Sequence, residues 1–205
     1  MTYAVKEIFR TLQGEGANTG RVAVFCRFTG CNLWSGREQD RAKAVCQFCD
    51  TDFVGGSTFS DARALATAIE QRWGEERQRR FVVFTGGEPL LQLDESLLDA
   101  VRERCFYIAV ETNGTIAAPE KINWICVSPK AATEVIQRDG NELKLVFPQI
   151  GLSPEQVAHW DFDRFYLQPK HDRFLARNTA AAIRYCLEHP QWALSIQTHK
   201  ITGMP

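Results

Sequence analysis

The sequence predicts an α/β fold: a partial, open TIM-like barrel of about six parallel strands with reduced helix content. Three observations predict it. Short apolar runs rich in β-branched and aromatic residues recur along the chain, as strands buried on both faces require. Helical patterns lie between several of them, which implies βαβ units. Six principal strands with some helices missing are too few to close an eight-stranded barrel.

The runs are Val22 to Phe28, Phe81 to Phe84, Phe106 to Val110, Trp124 to Val127, Leu143 to Phe147 and Arg164 to Gln168. A shorter one spans Trp192 to Thr198. After the first run, Ser60 is the expected N-cap of a helix that places Leu65, Ala66, Ile69 and Trp73 on one face. Leu93, Leu97, Leu98 and Val101 repeat the helical spacing before the third run. The stretch between Val127 and Leu143 is too short for a long helix with two loops. Ser153 and Gln156 form a capping box with Pro154 at the first helical position. Asn178 is the expected cap of a helix that stops before Pro190.

The 205 residues suffice for one domain with a sizeable core, and no linker divides them. Hydrophobic residues make up 44% and charged residues 24%, the balance of a soluble globular protein. A net charge of -1 gives no general attraction to nucleic acid. The basic run Arg77 to Arg80 reads as a solvated loop edge. No apolar stretch is long enough to span a membrane, and the N-terminus lacks a secretory pattern. The expected location is cytoplasmic, where thiols stay reduced.

The chain has 7 cysteines, an odd number. Cys46 and Cys49 form a C-x-x-C pair in a polar loop, and Cys31 precedes them across a long charged stretch. Cys26, Cys105, Cys126 and Cys186 fall in strand or helix patterns and read as small buried groups. Three thiols fall one short of a closed structural zinc site or a four-cysteine iron–sulfur cluster. They suit a metal with one open position, and soft thiolates do not choose between zinc and iron.

Other polar motifs follow the apolar runs in turn. These are TGGEP from Thr85, ETNG from Glu111, SPK from Ser128 and QPKH from Gln168. In parallel α/β folds, sites assemble at the C-terminal ends of strands. Paired glycines let bare backbone approach a ligand, a carboxylate suits an ammonium group, and SPK offers a hydroxyl and a cation. A ligand with an amine, a carboxylate and a ribose meets those groups.

Together these motifs resemble the radical S-adenosylmethionine (SAM) superfamily. With LQGEG from Leu12 and QTHK near the end, they more narrowly resemble the 7-carboxy-7-deazaguanine synthase family, over nearly the whole chain. The resemblance implies a radical ring contraction of 6-carboxy-5,6,7,8-tetrahydropterin to 7-carboxy-7-deazaguanine, with loss of ammonia. Cys31, Cys46 and Cys49 would hold a 4Fe-4S cluster whose fourth iron binds SAM. Phe48, Cys49, Asp50, Gly87 and Glu88 would meet the cosubstrate's methionine end. Ser128, Pro129 and Lys130, with Gln168, Pro169, Lys170 and His171, would meet its ribose and adenine. Leu12, Gln13, Gly14, Glu15, Arg27, Thr85, His199 and the terminal carboxylate of Pro205 would contact the pterin. Thr51 matches a ligand of Mg²⁺, and Glu111 is a candidate for proton transfer. The family implies a homodimer and a flavodoxin-type reductant. It also implies one domain over 1–205, with an insertion at about 32–45 and a substrate-contacting tail. Two rivals stand beside it: a radical SAM activase acting on a partner protein, and a zinc-binding module without catalysis.

Overall fold

A computed structural model describes residues Met1–Pro205. In chain order the strands and α-helices are β1 (Tyr3–Leu12), β2 (Val22–Phe28), β3 (Ser57–Phe59), α1 (Ala62–Trp73), β4 (Phe81–Gly86), α2 (Glu95–Arg102), β5 (Tyr107–Thr112), β6 (Trp124–Val127), β7 (Asp139–Phe147), α3 (Pro154–Val157), β8 (Asp161–Pro169), α4 (Leu175–Glu188), β9 (Trp192–Leu194) and α5 (Thr198–Thr202). One sheet runs β3-β1-β2-β4-β5-β6-β7-β8-β9. From β2 to β9 every neighbouring pair is parallel, so seven strands form the barrel wall. The expected open α/β barrel is therefore present, with β9 as its last and shortest strand.

β1 and β3 add an antiparallel edge that continuous apolar runs do not reveal. In β1 only Tyr3 and Val5 are buried, and charged Lys6, Glu7 and Arg10 interrupt the rest. A strand with one wet face alternates instead of running apolar. No helix stands between β6 and β7, as the short spacing from Val127 to Leu143 predicts, and none stands between β5 and β6. The core is correspondingly divided. α1 and α2 bury Leu65, Ile69, Leu97 and Leu98 against β1, β2, β4 and β5. Val127, Leu143, Leu145 and Leu167 form a smaller cluster with α3 and α4. Each such side chain contributes roughly 1.5–3 kcal/mol by leaving water.

Three local expectations change. Asp61, not Ser60, caps α1: its carboxylate accepts from the Ala64 N–H at 2.9 Å, and the Ser60 hydroxyl donates to Asp61. An ionised carboxylate complements the helix dipole better than a hydroxyl. Asn178 lies inside the first turn of α4, where its amide donates to the Lys170 carbonyl and to Asp172. It fastens the loop after β8 instead of capping the helix. Arg80 is buried, with its guanidinium on Glu70 at 2.7 Å and on the Arg104 carbonyl at 2.9 Å. It is a structural staple at the start of β4, not a solvated edge. The capping box at Ser153 and Gln156 is present as expected.

Candidate active site

A cavity of about 460 Å³ opens where the parallel strands end, and the five predicted loops meet around it. Cys31 reaches it from the loop after β2, Thr85 and Gly87 from β4, and Glu111 from β5. Ser128 and Lys130 follow β6, and Gln168 through His171 end β8.

The thiol loop is closed on itself. The N–H groups of Val45 and Cys46 both donate to the Leu33 carbonyl, at 3.0 and 3.3 Å. The fourteen residues between Cys31 and Cys46 therefore leave and return at one point. Within them, Glu38–Lys43 form a 3-10 helix. Arg41 lies over the Trp34 ring at 4.1 Å and donates to the carbonyls of Gln47 and Cys49, at 3.1 and 3.0 Å. Trp34 packs edge-on against buried Phe53. The insertion thus clamps the C-x-x-C turn and brings all three thiols to one cavity.

The thiols differ in acidity. A hydrogen bond from the Cys46 thiol stabilises the Cys49 thiolate and lowers its pKa to about 6, against the opposing effect of burial. The same bond, with burial, raises Cys46. Burial raises Cys31, while the N–H groups of Leu33 and Trp34 act the other way. Burial lowers Lys130, whose charge in turn favours the thiolates. All three thiols line the one cavity. Gly87 allows the close fit around it. A Cβ there would lie 2.0 Å from the Gly30 carbonyl oxygen and 2.8 Å from the Cys31 Cβ. The other four cysteines do not line the cavity, so no fourth thiol completes the set.

At the other end, Lys144 of β7 reaches the cavity, with its Nζ 2.6 Å from Glu15 and 3.3 Å from Glu111. Burial disfavours charge on Glu15 and Lys144, yet Lys144 holds the Glu15 carboxyl down to about 2. The two carboxylates in turn raise Lys144. Gln13 donates to Glu111 at 3.0 Å. The segment from Leu12 to Gly16 is fixed from two sides. Gly16 has a positive φ of 61° and donates to the Ser195 hydroxyl, and Ala17 donates to Glu142 at 3.0 Å. A Cβ on Gly16 would lie 1.9 Å from the Glu142 carboxylate. On the open side, Thr198 of α5 donates to the Gly14 carbonyl through N–H and hydroxyl, and Gln197 donates to Glu15 at 2.9 Å. Arg27 donates through Nε to Glu7 at 2.8 Å.

No family model matches the chain. Curated relatives do. It is 60% identical over 210 residues to the 7-carboxy-7-deazaguanine synthase of Bordetella pertussis, covering 100% of both chains. It is 61% identical to that of Caulobacter vibrioides over the same span, again with full coverage. The chain belongs to the 7-carboxy-7-deazaguanine synthase family. The crystal structure of QueE from Escherichia coli is similar at a TM-score of 0.72 and 26% identity, covering 96% of this chain and 94% of that one.

Membership of this family makes the chain a radical SAM enzyme of the lyase class, so the zinc-module reading falls away. Nearly every predicted site residue lines the one cavity: Leu12 through Glu15, Arg27, the three thiols, Phe48, Asp50, Thr51, Thr85, Gly87 and Glu111. So do Ser128, Lys130, Gln168 through His171, His199 and Pro205.

Two residues stand behind the wall. Glu88 is fully buried, and its carboxylate accepts from the Thr112 hydroxyl at 2.7 Å and from the N–H groups of Asn113 and Leu90 at 2.8 and 3.0 Å. Burial raises its pKa against those bonds. The carboxylate braces the loops of β4 and β5, and only the adjoining Gly87 backbone faces the cavity. Pro129 is buried as well, with its carbonyl accepting from Gln149. Two of the four remaining cysteines also depart from expectation. Cys105 is exposed in a turn with φ 61°, and Cys186 is half-buried on α4.

Sequence reasoning missed Lys144, Glu7, Gln197 and Lys200. For Lys144 a signal existed: a lone lysine inside the apolar run LKLVF. Strand side chains alternate, so Lys144 and Val146 line the cavity while Leu143 and Leu145 fill the core.

Proposed function

We propose that this chain catalyses the radical ring contraction of 6-carboxy-5,6,7,8-tetrahydropterin to 7-carboxy-7-deazaguanine, releasing ammonia. One observation carries the reading: three thiols without a fourth face one cavity together with the Glu15, Lys144 and Glu111 group. Cys31, Cys46 and Cys49 would hold a 4Fe-4S cluster. When bound, the cluster supplies the electron that cleaves the SAM sulfonium and so yields the radical that takes a hydrogen atom from the pterin.

The protein's own groups bind and orient. Phe48, Asp50 and the Gly87 backbone border the thiols, and Ser128, Lys130 and the loop from Gln168 to His171 continue that wall for the cosubstrate. Glu15 accepts hydrogen bonds from the N–H groups of the pterin ring edge. Arg27, His199 and Pro205, with Leu12, Gln13, Gly14 and Thr85, line the same cavity for the pterin. Glu111, fixed by Gln13 and Lys144, is the candidate for proton transfer. Thr51, next to the cluster loop, offers its hydroxyl to Mg²⁺, a hard cation that takes oxygen ligands.

The family resemblance further supports one domain over 1–205, a homodimer, a flavodoxin-type reductant and a cytoplasmic location. No helix is long and apolar enough to cross a membrane. The test is anaerobic incubation of the reduced, cluster-loaded protein with SAM, Mg²⁺ and the tetrahydropterin, followed by product mass. Ring-contracted product supports the reading. SAM cleavage without it counts against the substrate.

A further inference from the structure

We propose that Lys144 is a positioning residue, one that holds Glu15 and Glu111 as two ionised carboxylates facing the same half of the cavity. The inference rests on the proposed pterin reaction and goes beyond it by naming a residue outside the family's motifs.

The geometry is that of one ammonium between two acids. Lys144 is nearly excluded from solvent, its side chain 6% exposed. Its Nζ meets Glu15 Oε2 at 2.6 Å and Glu111 Oε1 at 3.3 Å. The remaining oxygens have weaker or neutral partners. Glu15 Oε1 accepts from Gln197 at 2.9 Å, and Glu111 Oε2 lies 3.5 Å from the Thr85 hydroxyl. Two carboxylates in one confined site do not both ionise unless a cation lies between them.

The surrounding charges do not replace it. Glu142 of β7 and the Cys126 thiol of β6 also act on Lys144. Both are acids, so they add no compensating positive charge. His199 of α5 faces Glu15, and Lys130 acts on Lys144 from the thiol end. Lys144 is the cation in direct contact with both carboxylates. A ring edge rich in N–H donors needs acceptors, and a protonated carboxyl turns one acceptor into a donor. Lys144 therefore sets the protonation that lets Glu15 and Glu111 accept.

The experiment uses the full-length, cluster-loaded protein with Lys144→Met, which keeps the aliphatic stem, and Lys144→Arg. Two readouts are compared across pH: the infrared band of a protonated carboxyl group, and kcat/KM with the tetrahydropterin. Lys144→Met is expected to gain intensity in that band at neutral pH relative to the wild type, both read in a Glu142→Gln background so that the raised Glu142 carboxyl does not contribute. Its kcat/KM is expected to fall by about tenfold or more at pH 7 and to recover as pH rises, because one carboxylate now titrates in the neutral range. Lys144→Arg is expected to follow the wild-type profile. A Lys144→Met protein without that gain and with the wild-type pH profile overturns the inference. Should that variant not fold, Lys144→Met combined with Glu15→Gln removes the repulsion. It is expected to fold and to lose the gain, whereas a gain persisting there overturns the inference. If the wild type itself makes no ring-contracted product, the pterin reading fails, and the infrared band still decides the state of the two carboxylates.

Discussion

Lys200 and Asp50 form an ion pair that ties the last helix to the residue following Cys49. Lys200 also donates to Gln197 at 2.9 Å, and Gln197 donates to Glu15. A continuous polar path therefore runs from the thiol loop through α5 to Glu15, Lys144 and Glu111. Both partners are partly exposed, at 28% and 46% of their side-chain areas, so the pair contributes at most about 1 kcal/mol to stability. Its effect lies in geometry. Lys200→Ala is expected to change the melting temperature little while weakening both SAM and pterin binding by several-fold. Titration calorimetry with each ligand checks this. Unchanged affinity for both would show that α5 holds its place without the pair.

The close fit at Gly87 predicts a failure of cluster assembly. A methyl group there would meet the Gly30 carbonyl and the Cys31 Cβ. Backbone cannot yield as a flexible side-chain tip can, so Gly87→Ala must push the Cys31 loop away from β4. The expected outcome is a folded protein that retains well under half the iron of the wild type after reconstitution and makes no product. Iron analysis beside a thermal melt separates this from global unfolding. Full iron content would mean that the loop accommodates the shift.

Glu88 predicts a stability effect in place of a binding effect. Its removal leaves the Thr112 hydroxyl and two N–H groups without their acceptor in a buried site. Each unsatisfied group costs about 1–3 kcal/mol. Glu88→Ala is therefore expected to destabilise the fold by roughly 3 kcal/mol or more. Glu88→Gln, which keeps an acceptor oxygen, is expected to recover about half of that. Denaturant unfolding reads both. A variant of normal stability that loses only SAM binding would return Glu88 to the cavity.

Much of this site was legible because motif position carries the information. TGGEP, ETNG, SPK and QPKH each follow an apolar run, and parallel topology sends all such ends to one mouth. The direction of a side chain was not legible. Glu88 belongs to its motif in sequence, yet the turn before Pro89 aims its carboxylate into the wall. Lys144 was hidden for the opposite reason, since a single charge in an apolar strand carries no motif. The Lys200 to Asp50 contact joins residues 150 positions apart, which no local pattern records. β1 escaped because charges on its wet face broke the continuous apolar signal.

Acid stability offers a test of the buried carboxylates, because Glu15 and Glu142 predict opposite trends. The folded pKa of Glu15 is about 2, below its ordinary value of 4.5. The unfolded chain therefore takes up this proton first as pH falls. Its stabilisation is complete above pH 4.5 and is lost as pH falls toward 2. Glu142 is raised, by burial above all, although Lys144 and the Ala17 N–H oppose the shift. For this group the folded state binds the proton first, so acidification from neutral pH toward 4.5 favours folding. Urea midpoints from neutral pH down to about pH 2 read both limbs. Glu15→Gln is expected to be less stable at pH 7 and to flatten the acid limb below pH 4.5. Glu142→Gln is expected to gain stability at pH 7 and to lose the rise on mild acidification, because an amide keeps the acceptor for Ala17 without a charge to desolvate. Parallel curves for the two variants and the wild type would mean that neither carboxylate governs the acid response.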